Sequence, residues 1–166
     1  MSVNNCRSGY IETFANRAAK IDRAAVVFQE LSEAIYGDRG GLLVISNTDN
    51  GPKFSVSIDG ERSKGITNML TYCFDLTLMR IACAEGRSPS FLVHDSHIFD
   101  GVDTRQVRSA LEVAVKECRD WGYQHLVTLN SDALPEVEDF SLEPYILPVR
   151  LTDQHENGGL FGVRFQ

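Results

Sequence analysis

Between residues 90 and 103 the chain reads SFLVHDSHIFDGVD, an apolar run with strand character that ends in His94, Asp95, Ser96 and His97. Asp100 and Asp103 follow closely. Carboxylates, a hydroxyl and imidazoles can hold a divalent cation, orient a water molecule or move a proton. A second apolar run, HLVTL at 125–129, ends in Asn130, Ser131 and Asp132. A third cluster, Ser63, Lys64 and Gly65, stands before a long apolar segment. A hydroxyl, a cation and free N–H groups at a helix start suit a phosphate. The same three residues also fit simple capping by Ser63, and both readings stay open.

These groups need elements to hold them. ITNMLTYCFDLTLMRIACAEG predicts a helix over about 66–85. Its apolar positions Ile66, Met69, Leu70, Cys73, Phe74, Leu76, Thr77, Ile81 and Ala82 cover most of the circumference, so it belongs in the centre. FLVH predicts a short buried strand. Residues 103–121 form an amphipathic helix with Val107, Ala110, Leu111, Ala114, Val115, Cys118 and Trp121 on one stripe. Asp103 or Thr104 caps its start, and Gly122 stops it before the strand 125–129. Strand, helix and strand of these lengths make a βαβ unit with parallel strands. Ligands bind outside the carboxyl ends of such strands, which is where both polar clusters fall. A central strand would be apolar, and its polar end would mark a site; Asp and Ser are also ordinary first-turn and loop residues, and both readings stay open.

Upstream, Ile11, Phe14, Ala18, Ile21, Ala25, Phe28 and Ile35 fall on steps of three and four, with Ser32 in the one missing slot. That is a heptad seam, and it fits a coiled-coil stub or a helix packed on its own domain. Glycines 37, 40 and 41 end it. LLVIS (42–46) and KFSVSI (53–58), joined through Asn50-Gly51, predict a β-hairpin. In its second strand Phe54, Val56 and Ile58 alternate with Lys53, Ser55 and Ser57, giving one buried and one wet face. The tail YILPVRLTDQHENGGLFGVRF suggests two further strands around ENGG. The expected organisation is a helix at 1–36 and an α/β lobe at 37–166.

Lys+Arg 16 against Asp+Glu 23 gives a formal charge of -7, with no basic run, so broad nucleic-acid binding is not expected of this chain. Its four cysteines show no CxxC pair and no zinc-site spacing. Cys73 and Cys118 fall on apolar helical faces, where a thiol acts as a small hydrophobe. The first ten residues lack the apolar core of a signal peptide, and no run reaches transmembrane length, so a cytoplasmic protein without a membrane partner is expected.

The order of these motifs resembles the C-terminal half of an ABC-type ATPase head of the SMC/RecN kind, in which a coiled coil separates two halves of one nucleotide-binding domain. The resemblance implies a parallel βαβ core like that of an ABC C-terminal lobe, with a β-hairpin and a returning coiled-coil arm. RSKG then looks like the signature motif, with Ser63, Lys64 and Gly65 toward a partner's γ-phosphate. FLVHD looks like Walker B, with Asp95 as the magnesium-associated carboxylate. FDGVD occupies the D-loop, with Asp103 at its end, and Asn130 stands at the switch-histidine position. SKGITNMLTYCFDLTL, HDSHIFDGVD and TLNSD together are similar to a bacterial family of unknown function that forms the C-terminal part of SMC-like ATPases, with roles in genome defence or DNA maintenance implied. Implied cofactors are ATP and Mg2+. Implied partners are the N-terminal half of the same head, a second copy through heads or coiled coil, and DNA through the full-length protein.

Two departures bear on catalysis. Ser96 stands where most ABC heads place the glutamate that orients the attacking water, and a hydroxyl is no base at neutral pH; His97 and Asp100 are the nearby candidates. Asn130 can donate to a phosphate but cannot take up a proton. There is also no GxxxxGK[ST], so the chain is expected to need a Walker A-bearing half and not to hydrolyse ATP alone. Two other readings compete. One is a metal-dependent phosphoesterase or nuclease using His94, Asp95, His97, Asp100 and Asp103. Alternation along a strand sends His94 and Asp95 to opposite faces, which counts against it. The other is a non-enzymatic module that dimerises through residues 11–35.

Overall fold

The computed structural model describes residues 3–37, 39–60, 63–131, 134, 141–152, 154–159 and 162, with side chains from Arg17 onward. They fall into two compact units, Met1–Pro135 and Glu136–Gln166. The first unit is mixed α/β, in the order α1 (Val3–Tyr36), β1 (Leu42–Thr48), β2 (Gly51–Ser57), α2 (Lys64–Ala84), β3 (Phe91–His94), α3 (Thr104–Trp121) and β4 (Gln124–Val127).

Helix α2 is the core element. Met69, Leu70, Tyr72, Cys73, Leu76, Thr77 and Met79 are buried, and α1, α3 and β2 pack around it. Its one buried phenol is satisfied, because Tyr72 Oη donates to the Ala110 carbonyl at 2.9 Å. Helix α1 lays Ala24, Val27, Phe28, Leu31, Ser32 and Ile35 against α2, α3 and β1. Of the expected heptad seam, Phe28, Ser32 and Ile35 are in this face, whereas Ala18 and Ile21 are exposed. A helix covered by two helices and a hairpin needs a stripe wider than a two-position seam. Ile11 and Phe14 lie outside the described side chains.

Buried Ser32 secures the chain reversal after α1: its hydroxyl donates to the Gln29 carbonyl at 2.9 Å and accepts from the Gly41 N–H at 2.6 Å. Gly41 must be glycine, since a Cβ there would meet the Phe28 ring at 2.7 Å. The hairpin pairs Leu43 with Val56 and Ile45 with Phe54. The face expected to be buried is only partly covered, Val56 and Ile58 being half-buried and Phe54 48% exposed, because a two-stranded hairpin meets α2 with few residues of β2. Its tight turn is centred on Asp49 and Asn50, one residue earlier than expected, because Gly51 (φ 105) takes the residue after the turn.

Helix α3 is capped as the sequence implies. Asp103 accepts from the Arg105 N–H at 3.0 Å, and Gly122 closes the other end in the left-handed region (φ 69). Its stripe holds a residue that apolar patterning passes over: Glu117 is buried and paired to Arg80 of α2 through Nε at 2.8 Å and Nη2 at 2.5 Å. Arg80 also reaches Glu30 of α1 at 2.7 Å, so one guanidinium joins all three helices. Strands β3 and β4 run parallel, in the register Phe91–Gln124 to His94–Val127, as the βαβ reading requires.

In the second unit the described residues form a 3-10 turn at Glu143–Tyr145 and a tight reversal in which Thr152 N–H donates to the Gly158 carbonyl at 2.9 Å. No strand occurs among them. The expected tail strands are therefore not seen at 145–152, where Pro148 removes a backbone donor and Pro144 stands just before; the remainder falls partly outside the described residues. Among the described residues no helix is long and apolar enough to cross a membrane.

Candidate functional site

The carboxyl ends of β3 and β4 make one rim, because parallel neighbours end side by side. The Thr128 N–H donates to the His94 carbonyl at 3.1 Å, so the pairing runs up to the residue before Asp95. Asp95 and Asn130 both follow on this rim and both are exposed. The backbone then tightens into a 3-10 turn over Ser96–Phe99. Asp95 caps that turn, its Oδ1 accepting from the His97 N–H at 2.7 Å. One carboxylate oxygen is thereby used, on a residue that is exposed.

The turn docks on the start of α2. Ser63 is the N-cap of that helix, accepting from the Ile66 N–H at 3.2 Å, so the capping reading is realised. Its own O–H remains a donor. Lys64 Nζ reaches Asp100 Oδ2 at 3.0 Å, and His97 Nδ1 approaches the same oxygen at 3.1 Å. Lys64 first, then His97, holds the Asp100 carboxyl below the usual carboxylate range, and hydrogen bonding to Asp100 pushes the His97 imidazole upward. With Nδ1 committed to Asp100, the His97 Nε2 is the ring atom turned to solvent. Gly65 is buried against the backbone: a Cβ there would sit 2.6 Å from the Gly101 carbonyl carbon and 3.0 Å from Val102 N. Asn68 completes the contact, donating from Nδ2 to the carbonyls of His97 at 3.0 Å and Asp100 at 3.2 Å. The structure thus brings Ser63, Lys64, Gly65, Asp95, Ser96, His97 and Asp100 into one surface. Asp103 stands at its end and is committed to Arg105, whose side-chain Nε lies 3.0 Å from Oδ1 and holds the carboxyl low.

His94 points the other way, as alternation demands. It is buried, with Nε2 3.0 Å from Asp75 Oδ2 and Nδ1 2.9 Å from His125 Nε2. An ionised Asp75 only accepts, so His94 carries its proton on Nε2 and accepts from His125 through Nδ1. Tyr72 packs on both rings, at centroid distances of 5.0 and 5.7 Å. Burial, then the His94 ring, pushes His125 down to about 4. His125 is thus shielded by Tyr72 and His94, whereas His155 is exposed. The five candidate nuclease ligands do not converge, and among the described residues no three His, Cys, Asp or Glu side chains are arranged to hold a metal ion.

The opposite face of the strand pair is open. Phe91, Val93 and Leu126 are 59%, 53% and 45% exposed, so the strand expected to be buried is covered on one face only, because among the described residues β3 has a single strand neighbour, β4. Parallel strands are ordinarily covered on both faces.

The architecture is that of an SMC head in part. The chain is similar to the structure described as "Crystal structure of the SmcHead bound to the C-winged helix domain of ScpA", with a TM-score of 0.53 and 15% identity over 78% of this chain and 46% of that one. A second similar structure is the Smc head domain with an extended coiled coil bound to the C-terminal domain of ScpA, derived from Pyrococcus furiosus, with a TM-score of 0.49 and 15% identity over 75% and 36%. The chain spans less than half the length of either. No curated protein sequence matches it. Residues 31–165 match the model of the family "Uncharacterised protein conserved in bacteria (DUF2326)", and the chain belongs to that family.

Proposed function

We propose that this chain supplies one half of a composite nucleotide-binding head of the SMC/RecN type. The observation that carries the reading is the single surface formed by the Asp95 turn and the Ser63–Gly65 helix start, placed on the rim of a parallel strand pair. A Walker A-bearing half, the N-terminal part of the same kind of head, is the partner. Asp95 and the nucleotide phosphates would hold Mg2+, whose ordinary mode is one or two carboxylates plus phosphate. That ion would neutralise charge on the reacting phosphoryl group. The exposure of Asp95 fits the role, since capping uses only its Oδ1. Ser63 O–H and Lys64 would face the γ-phosphate held by a second head, and Asn130 would donate to a phosphate from the rim.

With Ser96 in place of a carboxylate, His97 is the base we assign, oriented by Asp100 through Nδ1 with Nε2 toward water. A head joined by ATP between two copies follows from this division of parts, and any action on DNA belongs to the full assembly. The open Phe91, Val93 and Leu126 face supports the reading, because about 25 cal/mol per Å2 of apolar surface is gained when such a face is covered.

The test is physical joining. The chain is mixed with a Walker A-bearing half and their association is measured by analytical ultracentrifugation, for wild type and for Val93→Glu with Leu126→Lys. Association that the substitutions abolish is expected. Equal association of the two forms, or none with wild type, contradicts the proposal.

A further inference from the structure

The Asp95 turn and the start of α2 are far apart in sequence, yet one side chain bridges them. Asn68 spends both amide protons on the turn, one on the His97 carbonyl at its start and one on the Asp100 carbonyl at its end. Of the turn's own bonds, Asp100 N–H to His97 O at 3.1 Å joins the two anchored residues, and Ile98 N–H to Asp95 O at 3.2 Å and Val102 N–H to Phe99 O at 3.1 Å flank it. Beside them Gly65 lets the two backbones approach to a separation that no side chain allows. Lys64 adds a bond to Asp100, but its side chain is largely exposed, so that link is weak.

We propose that Asn68 is a positioning residue: it fixes the Asp95 turn to the first turn of α2, so that the helix start and the rim carboxylate move as one body. A ligand that shifts the Ser63–Gly65 end then shifts Asp95 with it. This second step rests on the half-site reading; the fixing itself does not. A half-buried asparagine on a helix has no need of a partner in a loop 29 residues away, but here its amide adds two bonds to a 3-10 turn whose own hydrogen-bond geometry is the poorer kind.

Two variants separate the possibilities. Asn68→Asp keeps the shape and loses both donors; Asn68→Gln keeps the donors on a longer arm. Amide hydrogen exchange on the full chain should show Ile98, Asp100 and Val102 opening about tenfold faster in Asn68→Asp, the size of effect that losing one or two hydrogen bonds gives. Exchange in the α2 core at Cys73 and Leu76 should be unchanged, and Asn68→Gln should recover part of the protection. In a complemented head, Asn68→Asp should raise the Mg2+ concentration for half-maximal turnover at saturating ATP several-fold, a shift that mere loss of folded protein cannot produce. Unchanged exchange at the three turn amides would overturn the proposal, and so would an active head whose Mg2+ half-point does not move. A complemented wild-type head with no turnover would count against the half-site reading, while the exchange result would still decide the role of Asn68.

Discussion

Replacing Gly65 by alanine puts the packing of the two motifs to a quantitative test. Alanine is the better helix former by about 1 kcal/mol, so at an unencumbered position in the first turn of α2 it would stabilise the protein. Here the new Cβ would lie 2.6 Å from the Gly101 carbonyl carbon and 3.0 Å from Val102 N, with the Gly101 oxygen closer still. Carbon contacts are comfortable at about 3.5–4.0 Å, so one backbone must retreat by about 1 Å. Both neighbours are main chain, and Asn68 and Lys64 hold the same turn, so no flexible side chain can yield instead. Overpacking of this kind costs about 1–3 kcal/mol. Set against the propensity gain, the net expectation is a loss of up to about 2 kcal/mol. Urea unfolding should show a lower midpoint at an unchanged slope, with faster amide exchange at Asp100 and Val102. A Gly65→Ala protein that is more stable than wild type would refute the close approach.

Arg80→Met strands the Glu117 carboxylate, whose side chain is only 2% exposed, and should cost about 3–5 kcal/mol in urea unfolding; Arg80→Met with Glu117→Leu should recover most of it. His125, held at about 4 against 6.5 in an unfolded chain, binds its proton only after unfolding, so stability falls as pH drops from about 6.5 to about 4. The loss approaches about 3 kcal/mol below that window, and it should be missing from the pH profile of His125→Leu relative to wild type. Burial pushes the Cys73 thiol up to about 12, so it should resist thiol reagents at pH 8 until the chain unfolds, which mass spectrometry of the labelled protein would read. Asp103→Ala removes the α3 cap and should cost about 1 kcal/mol.

Much of the scaffold was legible because it depends on local signals. The apolar run 91–94, the Asp103 cap, the Gly122 stop and the alternating hairpin each announce themselves within a few residues, and the parallel pairing follows from the length of the crossover. The division of His94 and Asp95 between two faces came from strand alternation alone. What escaped depends on contacts between distant positions. Asn68 looks like any exposed helix residue until the turn 29 residues on lies beside it. Glu117 interrupts an apolar stripe and makes sense only with Arg80 of another helix alongside. His125 gains its partner from strand register, which no single strand encodes. The α1 spacing fitted a coiled-coil stub or a helix packed on its own domain, and among the described side chains the buried face from Ala24 to Ile35 packs on three neighbours. Prolines 144 and 148 were the available warning against strands in the tail.

Turnover of Mg·ATP by the chain combined with a Walker A-bearing half, compared between wild type and Asp95→Ala, tests the central claim most directly. Asp95 is exposed on the rim and its one described side-chain bond is the cap of the 3-10 turn, so circular dichroism of Asp95→Ala should match wild type. The account predicts hydrolysis by the combined wild type, none by the chain alone, and a drop of at least about a hundredfold in Asp95→Ala, the scale on which a single placed group acts in catalysis. Equal rates for wild type and Asp95→Ala would contradict it.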